Sequence, residues 1–472
     1  MSPEWKGLVF VQAGRLVSVQ MPHRRHRSAI EAEEMQYSAN TLEHHWMPFT
    51  PNREFKDSPR LIVKSKGVEL WDHNGNRLLD GSSGLFCVAA GHGRTEIAEA
   101  VHEALLENDY TAPFNLAHPT SFELARTVAA LMPEDINHVF FGNSGSEAID
   151  TSLKIAMAYH RARGEGQRTR FVSRERAYHG VNIGGTSLSG MVKNRETFSG
   201  VMPGVVCMRH TWMEENRFTR GQPERGAELA EDLQRMVETY GGSTIAACYV
   251  EPVAGSTGVL VPPQGYLERL REICDTNGIL LVFDDVICGF GRLGAPFSAQ
   301  AFGVMPDIIT MAKALTNGAQ PMAAVAVKDE IYETIVNAAP EGAIELFHGY
   351  TYSGHPAACA AGIAAQKIFR DEKLFERAAE LSDYFLDAVF ALQELDLVAD
   401  IRGLGMLTGI DVKPGRVPGV RGQQIMKQLF HNGLHVKFTG DSGIFAPPFI
   451  TTREQIDEMC ALLRSTLESW KD

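Results

Sequence analysis

The chain has 472 residues, of which 44% are hydrophobic and 22% charged, and its formal net charge is −13. Such a composition is typical of a globular protein that can bury a core without disulfides. The acidic balance argues against a nucleic-acid partner, and no apolar run reaches the about 18 residues that a membrane helix needs. The 7 cysteines are scattered, and neither CxxC nor HExxH occurs, so we expect a cytoplasmic protein with reduced thiols and no metal.

Residues 1–40 differ in composition from the rest of the chain. They hold a basic cluster at 23–27 that is followed by Glu31, Glu33 and Glu34, and they show no apolar periodicity. We predict a disordered extension or one that comes from an upstream start. The alternative is a targeting peptide, since arginine-rich segments can be transit signals. The acidic residues after the cluster favour the first interpretation.

The segment from Arg60 to Asp80 alternates between apolar and polar residues, which is typical of strands. His73-Asn74-Gly75 interrupts this alternation with residues that favour a turn. We assign residues 41–95 to the N-terminal part of a small domain.

Helical and strand patterns alternate over residues 96–345. Apolar residues recur at helical spacing from Glu96 to Leu106 and from Glu147 to His160. Between such segments lie short runs whose apolar residues are continuous rather than alternating, as expected for strands buried on both faces of a parallel sheet. This succession predicts a large doubly wound α/β domain with a mainly parallel sheet. The predicted strands are 138–141, 169–172, 205–208, 245–250, 279–283 and 308–311.

Residues 346–472 show a different pattern. An apolar stripe from Leu374 to Leu392 predicts a long helix, and short strands are predicted at 405–412 and 435–438. Thr452 and Gln455 have the spacing of a capping box, which predicts the start of a last helix. We predict that this segment and residues 41–95 together build a smaller α+β domain.

A small, glycine-bearing loop, Ser144-Gly145-Ser146, lies between a predicted strand and a predicted helix. The free N–H groups and the positive helix end of such a loop favour an anion such as phosphate. The alternative is an ordinary turn in which a serine caps the helix.

Three further patterns lie near the ends of predicted strands. Asp284 ends a buried strand, where ligands of open α/β sheets bind, although it could simply cap the next turn. Lys313 has apolar neighbours; desolvation would make it an amine nucleophile, whereas a lysine at a helix start can also reach the surface. Tyr178 and His179 follow the strand 169–172, where an aromatic residue could also be core packing.

Together and in this order, these patterns resemble the class III pyridoxal-phosphate-dependent aminotransferases, and within them the β-alanine (ω-amino acid):pyruvate branch. The resemblance runs from His45 to the C-terminus and implies a fold-type-I transferase that binds pyridoxal 5′-phosphate. The motifs that carry it are HWMPFTPNR (45–53), SGLFCVAAGHGR (83–94), FGNSGSEA (141–148), YHGVN (178–182), VEPVAGSTGV (250–259), FDDVICGFGR (283–292), AKALTNG (312–318) and FHGYTYSGHP (347–356).

The resemblance implies a role for each matched residue. Lys313 matches the lysine that forms a Schiff base with the cofactor and then moves the proton between substrate and cofactor. Asp284 matches the carboxylate that keeps the pyridine nitrogen protonated. Tyr178 and Val286 would stack on the two faces of the ring. The remaining matches are Ser144, Gly145 and Ser146 in the phosphate cup, His179 in the cofactor site, Thr351 reaching the phosphate from the neighbouring subunit, Glu251 near the substrate carboxylate, and Trp46 and Phe86 in the substrate pocket.

Two residues depart from the family pattern. Asp285 stands where a glutamate is common, so any contact of the longer side chain would be loosened. Lys437 stands where the branch usually has an arginine that binds the substrate carboxylate, and lysine cannot form the planar bidentate pair. We predict that Lys437 still attracts substrate carboxylates and pairs with Glu251 when none is bound.

The sequence thus predicts an enzyme that transfers an amino group from an ω-amino acid or primary amine to pyruvate in a ping-pong cycle, as a homodimer or tetramer with shared sites. The alternatives are other chemistry on the same fold, such as an aminomutase or a decarboxylating transaminase, and a non-catalytic cofactor-binding protein. A nucleotide-binding dehydrogenase is disfavoured because no GxGxxG follows an early strand.

Overall fold

The structure is a computed structural model that describes residues 10–12, 15–17, 42–133, 135–199 and 201–471. The chain divides into two units, residues 1–61 and 62–472. In the first unit, strands β1 (Phe10–Gln12) and β2 (Arg15–Val17) pair as an antiparallel hairpin, and helix α1 spans Asn52–Asp57. The basic cluster at 23–27, on which the prediction of an extension depended, lies outside the described residues.

The second unit contains three sheets. Three strands have the predicted bounds (205–208, 245–250 and 308–311), and the other predicted strands of the large sheet differ by one or two residues at their ends. The strands are β3 Ile62–Lys66, β4 Glu69–Asp72, β5 Arg77–Asp80, β6 Ile136–Gly142, β7 Arg170–Arg174, β8 Val205–Met208, β9 Ile245–Val250, β10 Leu280–Asp284, β11 Ile308–Met311, β12 Ala323–Lys328, β13 Val398–Leu404, β14 Leu407–Val412, β15 Leu434–His435, β16 Lys437–Thr439 and β17 Ser442–Phe445.

The large sheet has seven strands in the order β6-β12-β11-β10-β9-β7-β8. All are parallel to one another except β12, which runs antiparallel to both β6 and β11. Every residue of β9, β10 and β11 is buried, which is why these strands are mostly apolar, with Asp284 and Thr310 as polar exceptions in β10 and β11. The predicted α/β class with a mainly parallel sheet is confirmed. Because parallel strands end at one edge, Gly142, Asp284 and Met311 lie along the same edge of the sheet.

Helices cover both faces of this sheet, and their apolar sides form its core. Ile149 and Leu153 of the helix after β6 are buried in one cluster with Val282 of β10. None of the described helices is long and apolar enough to cross a membrane. The helices are α2 Ser83–Phe86, α3 Thr95–Glu107, α4 Pro119–Ala129, α5 Gly145–Ala162, α6 Ile183–Leu188, α7 Val192–Thr197, α8 Glu231–Tyr240, α9 Tyr266–Asn277, α10 Ser298–Phe302, α11 Asp329–Ala338, α12 Pro356–Asp371, α13 Leu374–Phe390, α14 Val420–His431 and α15 Arg453–Glu468, with 3₁₀ turns at Glu214–Asn216, Ala227–Ala230, Gly242–Thr244, Lys313–Thr316 and Ala391–Glu394.

Two four-stranded sheets come from the flanking segments of the unit. The first has the order β15-β5-β4-β3, and its β15–β5 pair is parallel, with Leu434 opposite Leu79. The second, β13-β14-β17-β16, is antiparallel. The early and late segments therefore share a sheet, while the domain boundaries at 40, 95 and 345 stay a prediction. The capping box at Thr452 and Gln455 is confirmed, with both reciprocal hydrogen bonds present.

Candidate active site

The N-terminus of α5 lies where β6 ends at the carboxyl edge of the large sheet. The Ser144 hydroxyl caps this helix by accepting a hydrogen bond from the Glu147 N–H at 3.3 Å. The preceding N–H groups have no carbonyl partner within the helix, and the helix dipole is positive at this end. The cap and an anion site are therefore compatible, because the capping serine occupies only one of the free donors.

Glycines allow three loops to meet at this helix end. A Cβ atom on Gly145 would lie 3.1 Å from Val286, which follows Asp284. Gly180, with a φ of 89°, approaches so closely that a Cβ atom would lie 2.5 Å from the Ser146 hydroxyl. That hydroxyl accepts a hydrogen bond from the Val181 N–H at 3.0 Å. The predicted phosphate cup is thus adjacent to both the YHG segment and Val286.

Asp284 ends β10 as an almost fully buried carboxylate, 6% exposed. Its Oδ2 lies 2.7 Å from His179 Nδ1, and its Oδ1 accepts hydrogen bonds from the Val286 N–H at 3.2 Å and the Thr310 hydroxyl at 3.4 Å. His179 Nε2 is buried and has no hydrogen-bond partner among the described residues. Since a carboxylate offers about four acceptor positions, Asp284 can accept one more donor.

Thr310 was missed by the sequence analysis. The only sign of it in the sequence was a single hydroxyl in the otherwise apolar run 308–311. The β10–β11 register places Thr310 opposite Asp284, so this hydroxyl can reach the carboxylate.

Lys313 opens a 3₁₀ turn immediately after β11 and adopts a φ of 52°. Its Nζ lies 5.5 Å from the centre of the Phe86 ring, within the distance of a cation–π contact. Burial lowers the pKa of Lys313, while the charges of Asp284 and Glu251 act in the opposite direction. The amine is therefore nearer to its neutral, nucleophilic form than an exposed lysine is.

Glu251 follows β9 at the same edge and is 4% exposed. Its carboxylate accepts hydrogen bonds from the N–H groups of Tyr178 at 2.9 Å and Gly255 at 3.1 Å, so it fixes the backbone of the half-buried Tyr178. Burial raises the pKa of Glu251 to about 7. A group of this kind can change protonation near neutral pH.

The predicted ion pair between Lys437 and Glu251 is not formed. The backbone N–H of Lys437 donates to the Ser82 hydroxyl at 2.9 Å, and its ammonium makes no hydrogen bond or ion pair with a described residue. Burial lowers the pKa of Lys437. The Glu251 carboxylate is instead hydrogen-bonded to two backbone N–H groups.

Two of the predicted site residues are exposed. Thr351 is exposed, and its carbonyl accepts a hydrogen bond from the Tyr110 hydroxyl at 3.0 Å. Its loop is attached to α5 through the Tyr350 hydroxyl, which donates to the Glu147 carbonyl at 3.2 Å. Trp46 belongs to the first unit and is 87% exposed.

Asp285 is not left with loosened contacts, contrary to the expectation for the shorter acid. Its carboxylate accepts hydrogen bonds from the Ser298 N–H at 2.8 Å and from the Ser298 hydroxyl. Burial raises the pKa of Asp285 to about 7. The Asp285 side chain therefore binds the start of α10 and does not share the proposed role of its neighbour Asp284.

The arrangement combines a helix N-terminus with free N–H donors, a buried carboxylate and an amine of lowered pKa along one edge of a sheet. Such a set can hold a phosphorylated aromatic ring and attack an aldehyde on it. Among the described residues, no group of three or more histidine, cysteine, aspartate or glutamate side chains could hold a metal ion.

Comparison with known proteins places these residues in a family context. The family model for class-III aminotransferases matches residues 51–467. The chain is 49% identical to the omega-aminotransferase of Caulobacter vibrioides, over 91% of this chain and 98% of that protein. It is 47% identical to the beta-alanine–pyruvate aminotransferase of Pseudomonas aeruginosa, over 89% of this chain and 94% of that protein. Among solved structures, the omega transaminase of Pseudomonas jessenii in complex with PMP is similar with a TM-score of 0.86 and 30% identity, covering 91% of this chain and 97% of that one.

Proposed function

The chain belongs to the class-III aminotransferases, and we propose that it transfers an amino group from an ω-amino acid or primary amine to pyruvate in a ping-pong cycle. The observation that carries this proposal is the cluster of Lys313, Asp284 and the N-terminus of α5 at one sheet edge. The names of the relatives, an omega-aminotransferase and a beta-alanine–pyruvate aminotransferase, support this choice of substrates.

The residues present fit pyridoxal 5′-phosphate as the cofactor. The N–H groups at the start of α5, with Gly145 and Ser146, would hold the phosphate, and the spare acceptor capacity of Asp284 would take the pyridine N–H. Tyr178 and Val286 would contact the ring, and Lys313 would carry it covalently. When bound, the cofactor supplies an electron sink for the carbon that loses its proton.

Each side chain of the proposed site has a different role in the reaction. Lys313 would bind the cofactor and then act as general base and acid at the reacting carbon, a role that suits an amine whose pKa is lowered by burial. The Asp284 carboxylate would favour the protonated form of the ring nitrogen, and His179 fixes the orientation of that carboxylate through the 2.7 Å hydrogen bond. Glu251 holds the backbone of Tyr178, which positions the aromatic ring.

Phe86 and Lys437 would determine which amino donors are accepted. The Phe86 ring presents an apolar surface beside the Lys313 amine. The ammonium of Lys437 has no partner among the described residues, so it can attract a substrate carboxylate. We propose that Thr351 reaches the phosphate of a neighbouring subunit, because its loop is exposed while it is anchored on α5, and that the enzyme acts as a cytoplasmic homodimer or tetramer.

A donor screen with the purified protein tests the proposal. The protein is incubated with pyruvate and one amine at a time, and alanine is measured together with the absorbance of the bound cofactor. We expect alanine with β-alanine and with aryl-alkyl amines. Loss of carbon dioxide, or isomerised donor without alanine, would instead support a decarboxylating transaminase or an aminomutase. Cofactor binding without any amine consumption would support a non-catalytic protein.

A further inference from the structure

The segment Ser83–Phe86, labelled α2 above, contains non-helical backbone angles and is a turn rather than a regular helix. Ser83, Gly84 and Phe86 all have positive φ angles, of 48°, 69° and 63°. Two of these residues are not glycine, so the conformation is strained and persists only because the surroundings impose it. The result of this conformation is that the Phe86 ring, 3% exposed, lies 5.5 Å from the Lys313 Nζ.

The carboxylate of Asp80 stabilises this conformation by hydrogen bonds to the backbone of the turn. Asp80, which is completely buried at the end of β5, accepts hydrogen bonds from the N–H groups of Ser82 at 3.1 Å and Gly84 at 2.6 Å. His92 Nε2 donates to the same carboxylate at 2.8 Å. Burial alone would raise the pKa of Asp80, but the hydrogen bond from His92 and the neighbouring donors outweigh it and lower the pKa. Asp80 therefore acts as a buried anion that is satisfied by the turn itself.

The same turn is connected to the strand that carries Lys437. Ser82 accepts the hydrogen bond from the Lys437 N–H at 2.9 Å and donates to the Ile444 carbonyl at 2.8 Å. His435, paired opposite Asp80, donates to the Gly84 carbonyl at 3.1 Å. The residues proposed to meet the apolar part and the carboxylate of a donor are thus fixed by one turn.

We propose that Asp80 is a positioning residue for amino-donor selection: it holds the strained turn that keeps Phe86 beside Lys313. This inference rests on the proposed function, because it assumes that donors react at Lys313. Asp80 itself touches no reacting group; it acts through Phe86.

Asp72 offers a matched control. It is also a buried aspartate at a strand end, 5% exposed, and it also holds a turn, through the N–H groups of Asn74 at 2.9 Å and Asn76 at 2.8 Å. Its turn joins β4 to β5 and carries no residue that we place in the site. Asp72→Asn therefore measures what the loss of a turn-holding carboxylate does to stability alone.

The experiment compares Asp80→Asn with Asp72→Asn in the cofactor-loaded enzyme. Both variants are expected to melt at lower temperature. In Asp80→Asn, the ratio of kcat/KM for an aryl-alkyl amine to that for β-alanine is expected to fall about tenfold, because the Phe86 ring no longer packs against the apolar part of the donor. In Asp72→Asn the ratio is expected to stay at the wild-type value. In a Phe86→Leu background, Asp80→Asn is expected to leave the ratio unchanged.

A ratio that stays or rises in Asp80→Asn, or that falls equally in both backgrounds, overturns the proposal. If Asp80→Asn does not accumulate as folded protein, His92→Leu removes one of the three donors and carries the same comparison. A wild-type enzyme that forms no alanine with any donor refutes the proposed function instead. Failure of the two ideas is therefore distinguishable.

Discussion

Replacing Asp284 by asparagine tests the electrostatic basis of the proposed site. The change keeps the shape of a side chain that is 6% exposed, and it keeps an oxygen that can accept hydrogen bonds from the Val286 N–H and Thr310. What it removes is the negative charge. The amide of Asp284→Asn no longer favours a protonated ring nitrogen, so the cofactor is expected to stay bound but to withdraw electrons poorly.

The size of the effect follows from the distance. At a separation such as the 2.7 Å to His179, two opposite unit charges attract by roughly 6 kcal/mol at an effective dielectric constant of about 20. An amide dipole retains part of this interaction, which leaves about 4 kcal/mol in the barrier. Turnover is therefore expected to fall on the order of 10³-fold.

The assay is single-turnover kinetics of each half-reaction, with cofactor content measured on the same sample. Asp285→Asn is the control, because Asp285 is an adjacent, buried aspartate whose carboxylate is bound to Ser298. Its half-reaction rates are expected to stay close to those of the wild type. Rates within about tenfold of wild type for Asp284→Asn would refute the reasoning and would leave Asp284 as a turn residue.

Three further predictions follow from the site. Lys313→Ala is expected to lose the visible absorbance of covalently held cofactor and all turnover while its circular dichroism is unchanged; turnover that survives would contradict the assignment. Lys437→Ala is expected to lower kcat/KM for carboxylate donors about ten- to hundredfold, and kcat/KM for an aryl-alkyl amine much less. Lys437→Arg is expected to have kcat/KM values for carboxylate donors equal to or higher than those of the wild type. Equal losses for both donors in Lys437→Ala would show that Lys437 is a structural residue. Burial raises the pKa of Asp285 to about 7, above the ordinary value of 3.8, so the folded state binds more protons than the unfolded state and the free energy of unfolding falls as pH rises from about 4 to about 7. Between about pH 5 and about pH 8 this fall amounts to about 3 kcal/mol, and Asp285→Asn is expected to remove it, as measured by denaturant unfolding at these two pH values.

Local sequence patterns were sufficient to predict the strands of the large sheet that are buried on both faces. The runs 245–250 and 308–311 could be predicted directly because their apolar residues are continuous rather than alternating, with Thr310 as the one hydroxyl of the second run. Strand β12, Ala323–Lys328, was not predicted, since its three alanines favour neither helix nor strand strongly by pattern. Its antiparallel direction is set by pairing with β6, which lies far away in sequence.

Of the residues at the site, the sequence predicted only those that end a strand or belong to a matched motif. Asp284 and Lys313 stood out for those reasons, whereas Asp80 ended a shorter strand and received no role. The strained turn after Asp80 could not be foreseen, because nothing in the residues Ser83 and Phe86 indicates positive φ angles. The two hydrogen bonds that Glu251 accepts could not be foreseen either, because their donors are backbone N–H groups, which sequence patterns do not display.

The hydrogen bond from Lys437 to Ser82 joins residues that are 355 positions apart. During synthesis, the N-terminal segment leaves the ribosome long before the strand that completes its sheet exists. The helix start at Gly145 and the strand end at Asp284 belong to the middle of the chain and can assemble earlier. We therefore expect the residues of the proposed cofactor site to come together during synthesis before those proposed to select the amino donor.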